Sequence, residues 1–217
     1  MTLPAPYYDR DGITIYHADC RDILPTIDPA SVDLLLTDPP YGIDLDTDYS
    51  GRMHLSDKTT TWPRRVANDE VAFDPEHLAP FPRRMLWGAN YYAHKLPSAS
   101  WVIWRKRGVA PVLSDCEMAW HNLGGKRVSF FESAHVNTTA QDGKLHPTQK
   151  PVALMHWIIE RWTKPGDLIL DPYMGSGPIA RAAQLLGRRY IGIELVEDYC
   201  QAAVNRLAQP SMFQEAS

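Results

Sequence analysis

Short apolar runs that end abruptly at an acid recur along this chain. Residues 13–17 stop before Ala18-Asp19-Cys20. Residues 32–36, with Leu34, Leu35 and Leu36 in succession, stop at Thr37-Asp38-Pro39-Pro40-Tyr41. Residues 167–170 stop at Asp171-Pro172-Tyr173, and residues 189–193 at Glu194. Apolar runs of this length, without sustained alternation, suit parallel strands covered on both faces. Pro39 and Pro40 have no N–H for a ladder and a fixed φ, so they end their strand and hold Asp38 and Tyr41 just past its carboxyl end. In open α/β sheets ligands bind at that end. Late in the chain the apolar spacing turns helical. The spacing predicts helices over 152–162, with Pro151 at the tolerated first position, over 179–186, started by Pro178 and stopped at Gly187, and over 197–207.

The middle is less regular. A brief helix or turn is expected over 22–27 and a helix over 75–81. Strands are expected over 84–87, with Gly88-Ala89-Asn90 as the turn, and over 101–104, 116–120 and 127–131. Trp87, Trp101, Trp104, Trp120 and Phe130 lie inside these strands and read as core. Periodicity fails from residue 42 to about 80 and again over 126–144. The first segment reads as a long functional loop or, without a ligand, as disorder. The whole pattern predicts one α/β domain over residues 1–217.

Composition narrows the class. A hydrophobic content of 44% and a charged content of 22% exclude fibrous and disordered chains. No apolar run approaches the ~18 residues of a membrane span, and the first residues do not resemble a signal peptide, so a cytoplasmic protein is expected. Cys20, Cys116 and Cys200 form no Cys-x-x-Cys, and the eight histidines include no His-Glu-x-x-His, so no metal is expected. The net charge of −4 hides a division: residues 51–150 hold 14 Lys and Arg against 9 Asp and Glu. A basic middle on an acidic chain reads either as a polyanion-binding face or as ordinary surface solvation.

Two strand ends carry chemistry. Gly175 and Gly177 flank Ser176 between a strand and a helix, which lets backbone N–H groups face a ligand. Glu194 ends the next strand 19 residues after Gly175, the placement a ribose diol requires. Gly175-Ser-Gly-Pro-Ile-Ala180 also satisfies the dinucleotide pattern. Asp171 in the same turn would repel a pyrophosphate and attract a sulfonium, so S-adenosylmethionine (SAM) fits better than NAD. Asp19, at another strand end, reads equally as an N-cap or as a ligand contact.

Thr37-Asp38-Pro39-Pro40-Tyr41, then His146-Pro-Thr-Gln-Lys-Pro151, then Asp171-Pro-Tyr-Met-Gly-Ser-Gly177 resemble the amino-group DNA methyltransferases of the beta order, whose catalytic motif precedes the SAM motif. The chain is most similar to the short, phage-type, site-specific DNA adenine methyltransferases, over nearly its whole length, including Trp87-Gly-Ala-Asn90. Tyr173 stands where phenylalanine is usual and Pro178 where threonine is common, and the recognition insertion is short. The resemblance implies a SAM-dependent, Rossmann-like, seven-stranded, mostly parallel sheet with permuted motif order. It implies methyl transfer to N6 of a flipped adenine in double-stranded DNA, with cytosine N4, an RNA base or a protein glutamine as alternatives. Asp38, Pro39, Pro40 and Tyr41 would be catalytic. Asp19, Cys20, Asp38, Asp171, Tyr173, Gly175, Ser176, Gly177 and Glu194 would bind cofactor, with His146, Thr148 and Lys150 beside it or the phosphates. Arg64, Arg65, Arg105, Lys106, Arg107, Lys126 and Arg127 would contact DNA, with 42–80 and 124–146 as recognition loops on a monomer or homodimer.

Overall fold

Asp11 and Gly12 both take positive φ, 53° and 78°, the backbone of a two-residue hairpin turn. They fold Tyr8–Arg10 (β1) antiparallel onto Ile13–His17 (β2). In this computed structural model, which describes residues 3–44, 68–108, 114–134 and 149–210, the other strands are Leu34–Thr37 (β3), Arg84–Trp87 (β4), Ser100–Arg107 (β5), Cys116–His121 (β6), Val128–Ala134 (β7), Leu168–Asp171 (β8) and Arg189–Glu194 (β9). The helices are Cys20–Ile23 (α1), Val152–Trp162 (α2), Pro178–Leu185 (α3) and Glu197–Leu207 (α4). No helix among the described residues is long and apolar enough to cross a membrane.

The strands form one sheet in the order β1-β2-β9-β8-β3-β4-β6-β5-β7. The run from β2 to β4 is parallel throughout. Successive side chains of a strand point to opposite faces, and β3 shows the consequence. Leu34 and Leu36 pack with Ile158 and Ile179 on one face, while Leu35 packs with Leu24, Leu78 and Phe81 on the other. Because β8 lies beside β3, with Leu35 opposite Leu170, the carboxyl ends that carry Asp38 and Asp171 meet although they are far apart in the chain.

Several expectations change. The described residues give nine strands instead of seven: the Asp11-Gly12 hairpin adds β1 at one edge, and β7 forms the other edge. Residues 124–146 are not a loop throughout, since β7 pairs with β5 in parallel from Trp101↔Val128 to Arg107↔Ala134. Residues 135–148 lie outside the described residues, as do 45–67 of the expected 42–80 loop. The strand expected from residue 32 starts at Leu34, because the Asp33 carboxylate accepts from Leu168 N instead of facing a core. Pro151 is the N-cap of α2, one position before its first helical residue. Trp87, Trp104 and Trp120 are buried and Trp101 partly so, but Phe130 is 55% exposed on the edge strand.

Candidate active site

The turn after β3 is held from three sides. Tyr41 donates its hydroxyl to Asp38 Oδ1 at 2.6 Å. Its ring lies against Gly88, where a Cβ would come within 1.9 Å of Tyr41 Cε1, and stacks on the half-exposed Tyr91 at 5.2 Å and 20°. Gly42, at φ 75°, leaves no room for a side chain above Ala72, and its N–H donates to Asp69 Oδ1 at 2.8 Å. A Gly88→Ala variant must move Tyr41 and strain a backbone at φ 65°. It is expected to lose methylation on the order of 100-fold, as misplaced catalytic groups do. SAM affinity by calorimetry should be unchanged.

Lys150 is the cation of this turn. It is 2% exposed, and its Nζ lies 2.6 Å from Asp38 Oδ2, 3.0 Å from the Tyr41 hydroxyl and 2.8 Å from Glu117 Oε2. Lys106 pairs with the other Glu117 oxygen. Burial pushes Asp38 above the usual carboxylate range, opposed by Lys150. Burial also disfavours ionised Glu117, but Lys150 and Lys106 outweigh it and hold that carboxyl down at about 2. Burial likewise works against charge on Lys150, and its two carboxylate neighbours overcome it and raise its pKa. The cluster therefore pairs two ammonium groups with two acids.

Next to it lies the glycine turn between β8 and α3. Gly175 and Gly177 both take positive φ, 56° and 73°. Glu194 at the end of β9 accepts from Gly175 N and Val196 N, each at 2.8 Å, so its carboxylate lies against the turn with lone pairs left for hydroxyl donors. Buried Arg206 of α4 holds Ser176 O at 2.9 Å and Gln149 Oε1 at 2.8 Å, and Ser176 Oγ donates to the same Gln149 oxygen. Tyr173 closes the side of the turn, its hydroxyl 2.9 Å from His77 Nε2 with Phe73 edge-on. A tight backbone cradle, a strand-end acid and an aromatic wall fit the nucleoside part of SAM.

The expected residues are placed unevenly. Asp38 and Tyr41 come together with Lys150, which faces the Asp38 carboxylate. Asp171 presents no free carboxylate: it is fully buried, accepts from Thr37 Oγ1 at 2.7 Å and from the Tyr190 hydroxyl at 3.0 Å, and burial pushes it up to about 7. It ties β8 to β3 and β9, so the preference for a sulfonium read into its charge has no exposed acid behind it. Asp19 caps α1 through Arg21 N at 2.9 Å and chelates the Arg21 side chain, and Cys20 beside it is buried. Lys106 turns inward to Glu117 and the Trp104 ring, which removes it from the DNA-facing set. Arg105 and Arg107 are exposed and share Glu132, and Lys126 and Arg127 are exposed. His146, Thr148, Arg64 and Arg65 lie outside the described residues. Glu117, Tyr91, His77 and Arg206 were not anticipated. The sequence signal for Glu117 was a lone acid inside the apolar strand 116–120.

A mostly parallel sheet with a glycine turn and an acid at neighbouring strand ends, beside an Asp-Pro-Pro-Tyr turn, defines a nucleoside-binding group-transfer enzyme. Residues 70–205 match the N6_N4_Mtase model, described as DNA methylase, and the chain belongs to that family. It is 27% identical over 252 residues to the type II methyltransferase M2.DpnII of Streptococcus pneumoniae, covering 95% of this chain and 94% of that protein. It is 29% identical over 208 residues to the putative methylase YubD of Escherichia coli (strain K12), covering 88% of each. Among solved structures, the M1.HpyAVI–SAM complex superposes with a TM-score of 0.59 at 26% identity, over 90% of this chain and all of that one. The cytosine-N4-specific PvuII DNA methyltransferase superposes at 0.64, over 95% of this chain and 90% of that one; at 15% identity this likeness speaks for the fold alone.

Proposed function

We propose that this chain transfers the methyl group of SAM to the exocyclic N6 of an adenine flipped out of duplex DNA. The observation that carries the reading is the Asp38 carboxylate, anchored by Tyr41 and Lys150 at the end of β3 and adjacent to the glycine turn. Bound SAM would supply an electrophilic methyl group, its sulfonium leaving as a neutral thioether while the methylated amine releases one proton to solvent. Gly175, Ser176, Gly177 and Glu194 would hold its nucleoside and methionine parts. An aromatic amine is a weak nucleophile because its lone pair is delocalised into the ring. The Asp38 carboxylate and the Pro39 carbonyl each accept one amino hydrogen, which draws the nitrogen towards sp³ and stabilises the charge that develops. Tyr41 bounds the base pocket with its ring. The amino group is out of reach in a duplex, so the base leaves the stack at a cost of roughly a few kcal/mol. Exposed Arg105, Arg107, Lys126 and Arg127 support a phosphate-contacting surface on and beside β5 and β7.

The test is to methylate DNA with labelled SAM, digest it to nucleosides and identify the product by mass. N6-methyladenine is expected. N4-methylcytosine alone would overturn the base assignment, and no labelled nucleoside would overturn the reaction.

A further inference from the structure

Lys150 stands between two carboxylates where catalysis uses one. Its three N–H bonds are matched by Asp38 Oδ2, the Tyr41 hydroxyl and Glu117 Oε2. The first two contacts are directed hydrogen bonds. The third is an ion pair at 2.8 Å, and among the described residues Glu117 Oε2 receives no well-directed hydrogen bond. Glu117 is set in place by the sheet: β6 pairs with β5 so that Trp104 lies opposite Glu117, and Lys106 holds its other oxygen. The indole of Trp87 lies 5.5 Å from the Lys150 ammonium on one side. Tyr41 donates to Asp38 Oδ1 and Lys150 to Asp38 Oδ2, so an amino hydrogen arriving at Oδ2 competes with the ammonium for that oxygen's charge, and a buried ammonium cannot loosen one partner without another at hand. Glu117 offers a charged acceptor already within contact distance.

We propose that Glu117 is a positioning residue for methyl transfer, taking over the Lys150 ammonium as the amino group of the target base takes Asp38 Oδ2. The proposal rests on Asp38 being the acceptor in the proposed reaction. Among the described residues, the charged and titratable groups facing Asp38 are Lys150, Tyr41, Glu117, Tyr92 and Asp171.

The test is Glu117→Gln, which keeps the size and removes the charge. Among the described residues Lys150 then has Asp38 as its only anionic neighbour, so the base amino group competes with an undivided ion pair. The expected result is a fall in kcat of about tenfold, with SAM affinity within about twofold of wild type. The acid midpoint of the pH–rate profile should move to lower pH, because Asp38 loses a like-charged neighbour and keeps Lys150. A slower enzyme whose Asp38 ionises more readily is not what a merely structural defect produces. Glu117→Asp, which restores the charge at longer reach, should recover part of the rate. An unchanged rate, or an acid midpoint that stays or rises, overturns the proposal. If Glu117→Gln does not fold, Glu117→Met, uncharged and close in size, is judged by the same rate and the same acid midpoint. Carbon-13 NMR titration of Asp38 in the ligand-free protein reads the same midpoint without turnover. A wild type that methylates nothing would sink the reaction, whereas an unmoved NMR midpoint would sink the role of Glu117.

Discussion

Replacing Asp38 by alanine is expected to abolish methyl transfer, by on the order of 1000-fold or more, while the protein stays folded and still binds SAM and DNA. The carboxylate is the acceptor that draws the amino nitrogen towards sp³, and removing one such preorganised group costs hundreds- to thousand-fold in rate. The fold should survive because Lys150 is not orphaned: Glu117 Oε2 remains 2.8 Å away and the Tyr41 hydroxyl 3.0 Å away. The glycine turn is untouched, since Asp38 makes no hydrogen bond to it. Methyl incorporation, calorimetric SAM affinity and a circular-dichroism melt measured together decide the matter. Near-normal turnover would show that the catalytic role lies elsewhere.

Lys150→Met is expected to have the second largest effect, and it should act through pH. Without the ammonium, Asp38 and Glu117 face each other as two acids with, among the described residues, only Lys106 to share. Burial and like charge both push Asp38 up. The acid limb of activity should therefore move to higher pH. The protonated share of Asp38 rises at every pH, and a protonated carboxyl is a poor acceptor for its one amino hydrogen, so the rate falls on the order of 100-fold. Raising the pH should restore part of it, because the carboxylate that ionises is the one the reaction needs. Stability should fall by about 3 kcal/mol, the lower end for breaking a buried pair, since the Asp38 and Glu117 side chains keep 21% and 23% of their surface exposed. A pH–rate profile parallel to wild type would contradict this account.

The sequence by itself determined what depends on neighbours along the chain. Apolar runs ending at Asp38, Asp171 and Glu194 marked strands whose carboxyl ends carry function. The prolines marked where β3 stops, and Gly175 and Gly177 marked a turn needing positive φ. Those features are local, because a strand's faces and a turn's φ are set within a few residues. What meets Asp38 was decided only by the tertiary structure. Lys150 reaches it from 112 residues away, and Thr37 meets Asp171 across 134 because β8 lies beside β3 in the sheet. Glu117 reaches Lys150 because β6 runs antiparallel between β4 and β5, an order no local pattern encodes. Lys106 lies between these two cases. It sits in a basic run, yet β5 alternates faces, so Arg105 and Arg107 go to the surface while Lys106 points to Glu117. The period of two was legible in the sequence; the acid waiting on the inner face was not, since its place is set by the register of one strand against another.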